Sequence, residues 1–155
     1  DSPMSRGLGD VYKRQAQDMF GLNAAYSADN WGVATAYVSD DGGTTADTTY
    51  WGLNAYYTFD LASLSAGFET SDNGTADASG YFVGLSFPEV GPGSVNVAAA
   101  TTGLFADDAT ETLIYEASYS YPVNDAMTIT PGIFIQENDG SDDETGIAVK
   151  TSFSF

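Results

Sequence analysis

Glu69 and Glu116 are the two acidic residues that fall inside apolar-polar alternating segments. Two carboxylates are the minimum equipment for hydrolysing a glycosidic bond. The same groups along a watery passage do simpler work, as fixed charge that tunes which ions pass, and that is the reading we favour. Two acidic runs, DDGG from Asp40 and NDGSDDE from Asn138, look superficially like calcium loops. Neither has the spaced carboxylates and closing glutamate of such a loop, so both read as solvated connections. Asn73-Gly74-Thr75 fits a glycosylation acceptor, but Asn-Gly is first a turn signal. The chain has no histidine and no cysteine, which removes imidazole catalysis, thiolate nucleophiles and the commonest zinc ligands. No phosphate-cradling glycine loop appears. The residues assemble no enzyme, no metal site and no cofactor site.

Four Lys+Arg against 22 Asp+Glu give a net charge of −18 over 155 residues, which argues against nucleic acid as a partner. No apolar run reaches the ~18 residues of a membrane-spanning helix. That excludes helical spans alone, because a membrane barrel places its apolar residues at every second position. Residues 1–15, DSPMSRGLGDVYKRQ, hold three of the four cations and lack the later alternation. They resemble a translated sequencing adapter and are set aside as a leader without a fold, leaving 16–155 as the structured part.

What must position any chemistry is a run of hairpins. GLNAAY at 21–26 returns as GLNAYY at 52–57, 31 residues on. That distance is one strand, a short turn, a second strand and a loop. The alternation predicts nine strands, at 19–28, 31–39, 49–59, 62–70, 80–87, 94–102, 112–121, 126–136 and 145–155. Such lengths match the ~9–11 residues of a tilted strand crossing a bilayer. Pro131 predicts a bulge within its strand, since proline cannot donate to the ladder. Short connections (29–30, 60–61, 88–93, 122–125) alternate with long ones (40–48, 71–79, 103–111, 137–144). The long ones carry three, two, three and five acids, so negative charge gathers at one end.

One parity collects Leu22, Val33, Leu53, Leu64, Leu85, Val97, Leu113, Ile129, Ile133 and Val149. The other collects Asn54, Glu69, Glu116, Thr128, Thr130 and Lys150, which we take as the lining of a pore. Tyr50, Tyr56, Phe82 and Phe134 are bulky exceptions on that polar side. Aromatics of the apolar parity cluster at strand ends, as in the girdles of a membrane barrel. A soluble β-sandwich would explain the alternation but neither the girdles nor the sorted connections. The last segment, GIAVKTSFSF, sets Ile147, Val149, Thr151, Phe153 and Phe155 on the apolar side and resembles a C-terminal signal read by barrel-assembly machinery. The fold expected is an all-β, antiparallel, up-and-down transmembrane barrel.

The stretches GLNAAYSADNWGVATAYVSDD, TTYWGLNAYYTFD, YFVGLSFPEVGPGSVNVA and IYEASYSYPVNDAMTITPGIFIQEN…DETGIAVKTSFSF resemble the C-terminal part of cyanobacterial outer-membrane porins of the carbohydrate-selective family. The likeness covers residues 19–155 and implies a barrel of about sixteen strands, of which this chain holds nine, an odd number unlike the even counts of bacterial barrels. It implies passive diffusion of small hydrophilic solutes such as sugars and inorganic ions. The partners to expect are outer-membrane lipid and lipopolysaccharide, reached by divalent ions at the acidic loops, with homotrimers for the full-length protein. The surface-layer-homology domain of that family has no counterpart here. A structural or adhesive barrel, with a closed lumen and working acidic loops, stays open as the alternative, as does whether nine strands close on themselves.

Overall fold

The computed structural model describes residues 13–14, 17–41, 47–74, 76–101, 105–106, 111–138 and 140–154. Nine long strands appear where the alternation places them: β2 (Gln17–Ser27), β3 (Trp31–Asp40), β4 (Thr48–Thr58), β5 (Ser63–Asp72), β6 (Asp77–Val90), β7 (Gly93–Thr101), β9 (Leu113–Asn124), β10 (Met127–Gln136) and β11 (Glu144–Phe153). Two-residue strands β1 (Lys13–Arg14) and β8 (Phe105–Ala106) complete the set. Of residues 1–15, then, Lys13 and Arg14 are described, paired with Asp18 and Gln17. Each long strand pairs antiparallel with its sequence neighbours, and β8 adds to the flank of β6. Among the described residues no pairing joins β11 to β2, so the sheet is open at both edges.

Short turns tie off one end of the meander. The Ala28 amide donates to the Trp31 carbonyl at 2.8 Å and the Phe59 amide to the Ala62 carbonyl at 2.7 Å. Two connections are tighter than the sequence reading had them. β6 runs through Pro88 to Val90 and turns at Gly91, whose φ of 61° is left-handed backbone that glycine adopts without strain. Similarly, β9 runs through Pro122 to Asn124, whose side-chain carbonyl accepts from the Ala126 amide at 2.9 Å. At the other end, the 71–79 loop shrinks to residues 73–76, because Asp72 and Asp77 still pair. The Asn-Gly signal explains it: Asn73 Oδ1 accepts from the Ala76 amide, and Gly74 carries φ 75°. The bulge expected at Pro131 lies instead between Met127 and Thr128. Pro131 stays in register opposite Val149, and its missing donor falls on the β9 side, where pairing passes from Ile129 to Gly132.

Directly paired residues of antiparallel strands share a face, so the register settles both faces. Leu22 opposes Tyr37, Thr35 opposes Leu53, Leu53 opposes Phe68, Leu64 opposes Leu85 and Leu85 opposes Val97. The apolar parity therefore runs unbroken from β2 to β11. Nothing packs on it: no hydrophobic side chain among the described residues is buried, and Leu22, Val149 and Ile147 are 58, 65 and 80% exposed. The chain exposes 11312 Å², against about 7500 Å² for a globular monomer of its mass. A β-sandwich needs two sheets with a core between them. This is one sheet without a core, and an apolar face this large requires an apolar surround.

Candidate functional site: the polar face of the sheet

The six candidate lining residues all fall on the face opposite the apolar one. Asn54 pairs with Ala34 and Gly67, Glu69 with Gly52 and Gly80, and Glu116 with Ala98 and Phe134. Thr128 pairs with Ser152, and Thr130 with Lys150. Glu69 and Glu116 lie three strands apart, and Gly80 and Gly84, their partners on β6, lie four residues apart. At sheet spacings that separates them by on the order of 20 Å. Carboxyls that attack one glycosidic bond stand within ~10 Å of each other, so these two share no reaction.

The structure brings four of the six, Thr130, Lys150, Asn54 and Glu69, into two groups. In the first, Thr130 and Lys150 are cross-strand neighbours, and Thr130 Oγ1 donates to Ser120 Oγ at 3.1 Å. That hydroxyl bond spans the rung Pro131 leaves unmade. In the second, Asn54, Glu69, Phe82 and the glycines Gly52, Gly67 and Gly80 line a hollow of about 250 Å³. Its floor is flat because three strands present no side chain there.

Glycine placement is a feature the sequence reading missed. Within the long strands, Gly21, Gly32, Gly52, Gly67, Gly80, Gly84, Gly132 and Gly146 take the polar parity, and Gly93 the apolar one. Three of the bulky polar-face exceptions lie across such glycines. A Cβ at Gly32 would run into the Tyr56 ring, at Gly67 into the Phe82 ring and Asn54 Oδ1, and at Gly146 into the Phe134 ring. Each ring thus occupies the space left open by a glycine on the paired strand. The signal was available as a shared parity of glycine and ring on paired strands, but it becomes meaningful only with the register in hand.

The aromatic ends also take definite form. Near the short turns, Tyr26 and Trp31 sit 5.2 Å apart by ring centroid and Tyr57 and Phe59 4.6 Å, both tilted. Tyr119 Oη donates to the Val90 carbonyl at 2.9 Å, clamping the extended β6–β7 turn. Near the long loops Trp51 meets Phe68 at 5.9 Å. Tyr81 Oη donates to Glu111, and Tyr115 Oη to Glu137 at 3.2 Å, so two outward tyrosines hold the bases of two acidic loops. Ile147, Val149, Thr151 and Phe153 oppose Ile133, Pro131, Ile129 and Met127 on the apolar face, while Phe155 lies outside the described residues.

Known proteins share this design. A solved porin structure, refined at 1.8 Å, superposes with a TM-score of 0.71 at 18% identity, over 94% of this chain and 60% of that one. The chain thus spans about 60% of the length of the solved porin it matches. No curated protein matches the sequence. The family profile of Gram-negative porins matches residues 4–143. A meander with one apolar face, one polar face and no core is the architecture that a lipid bilayer on one side and water on the other require, and the chain belongs to the Gram-negative porin family, proteins of the outer membrane.

Proposed function

We propose that the chain forms part of a passive diffusion channel for small hydrophilic solutes, with Asn54, Glu69, Glu116, Thr128, Thr130 and Lys150 lining the pore. The observation that carries this reading is the polar face itself. Three of its four bulky rings, Tyr56, Phe82 and Phe134, take up space that facing glycines leave empty, so the paired backbone accommodates part of their bulk. A closed, adhesive barrel would call for bulky or paired side chains filling its lumen. The parent barrel is completed by further strands that cover the open edges of β2 and β11, because unpaired backbone in lipid costs several kcal/mol per group.

The resemblance to carbohydrate-selective porins of cyanobacteria supports sugars and inorganic ions as the solutes. The acidic loops face lipopolysaccharide through divalent ions, and the full-length protein assembles as a trimer. Ile147, Val149, Thr151, Phe153 and Phe155 form the signal presented to the assembly machinery. This protein catalyses no reaction. Planar-bilayer recording tests the channel. The complete barrel is expected to give uniform, long-lived conductance steps and the 155-residue chain alone none. Complete barrels that insert but never conduct would sink the reading in favour of an adhesive role.

A further inference from the structure

The hollow beside Glu69 has a chemistry of its own. Phe82 lies across Gly67, where its ring and the Asn54 amide oxygen converge on the place a Cβ would take. Glu69 stands two residues further along β5, and Gly80 opposite it carries no side chain to cover the carboxylate. An aromatic ring, an amide carbonyl and a carboxylate thus border about 250 Å³ of open space above bare backbone. All three groups present negative potential: the ring through its quadrupole, the amide through its oxygen, the carboxylate through its charge. Lys13, Arg14 and Lys150 are the cations among the described residues, and none lies on β4, β5 or β6.

We propose that this hollow is a binding site for small organic cations, with an alkylammonium group seated on the Phe82 ring and charge-paired with Glu69. Asn54 accepts from an N–H or a neighbouring hydroxyl of the solute. The proposal rests on the polar face lining a pore, and it deepens that reading by naming a preferred solute class. Sugars also stack on aromatic rings and their hydroxyls donate to carboxylates, but only a cation adds charge pairing with a carboxylate that no cation on β4, β5 or β6 balances.

The test uses the complete barrel folded in detergent micelles, with 4-fluorophenylalanine placed at position 82 and choline chloride as the probe. Titration is expected to move the fluorine resonance saturably. The neutral isostere 3,3-dimethyl-1-butanol and methyl glucoside should leave it in place. Glu69→Gln should weaken choline binding about tenfold, and Phe82→Leu, read as loss of choline block in single channels, about fivefold. Glu69→Asp should recover part of the affinity, which a purely structural role would not. Equal shifts from choline and its neutral isostere, a saturable shift from methyl glucoside, or no effect of Glu69→Gln would each overturn the proposal. The fluorine readout needs no current, so saturable choline binding in a barrel that never conducts would uphold the site and sink the channel.

Discussion

The two faces of this sheet answer one constraint in opposite ways. Adjacent strands stand ~4.8 Å apart, so a large side chain needs room from its neighbour. On the apolar face the neighbour offers another medium or large group, as Leu64 does to Leu85 and Leu53 to Phe68. Those side chains project outward, and fluid lipid fills the gaps between them. On the polar face Gly32, Gly67 and Gly146 leave the room that the rings of Tyr56, Phe82 and Phe134 take. Lipid forgives uneven relief, whereas a solute passage is narrowed by every atom that stands up in it. Glycine parity therefore marks the polar face, independent of where the charges fall.

Charge reversal should break the symmetry of the faces most. Val149 and Lys150 are chain neighbours on opposite faces. Val149→Lys in the complete barrel is expected to cost ~2–4 kcal/mol and to impair assembly, because the cation would enter hydrocarbon. Lys150→Glu should leave folding intact. Heat-modifiable gel mobility reads both, and the reverse result would shift every facing assignment by one residue.

Overpacking comes next. Gly146→Ala places a methyl where the Phe134 ring rests. The ring must lift into the passage, at about 1–2 kcal/mol and with a lower single-channel conductance. Adding Phe134→Ala should restore the conductance. Ala117→Val on the apolar face, opposite Val97 and Ile133, should do neither.

Smaller effects distinguish the two ends of the sheet. Tyr119→Phe removes the bond to the Val90 carbonyl and should lower stability by about 1 kcal/mol, read from the urea midpoint. Tyr115→Phe should cost less, since the exposed Glu137 carboxylate regains water. Lys150→Glu should shift reversal potentials towards cations at low salt. The shift should fade by 1 M, as the Debye length falls from ~10 Å to ~3 Å.

Strand positions and facing were legible because a period of two, kept over nine segments, admits a single reading. Loop lengths were less so. Pro88 and Pro122 look like turn residues, yet each sits within a strand near its short-turn end, where the chain continues in pairing. The Asp72–Asp77 hairpin hid behind a polar run, since sequence alone does not reveal that two aspartates pair. Pro131 signalled a defect correctly but not its form, because the unmade rung belongs to one flank of β10 and Thr130 and Ser120 bridge it with their hydroxyls. The hollow at Glu69 stayed invisible for a similar reason: Asn54, Gly67 and Phe82 belong to three strands, and only register makes them neighbours.

The repeat GLNAAY and GLNAYY carries one more consequence. Asn23 lies across Ala36 from Gly52, so its counterpart Asn54 is two residues out of line. The second hairpin has slid by two residues relative to the first. If equivalent residues such as Tyr26 and Tyr57 sit at equal depth, a slide of ~6.8 Å over two strand spacings of ~9.6 Å sets the strands at about 35° to the membrane normal. A ten-residue strand such as β5 then rises ~28 Å, enough to cross an apolar band ~25 Å tall. The slant of the wall is thus written into the offset between two copies of a six-residue phrase.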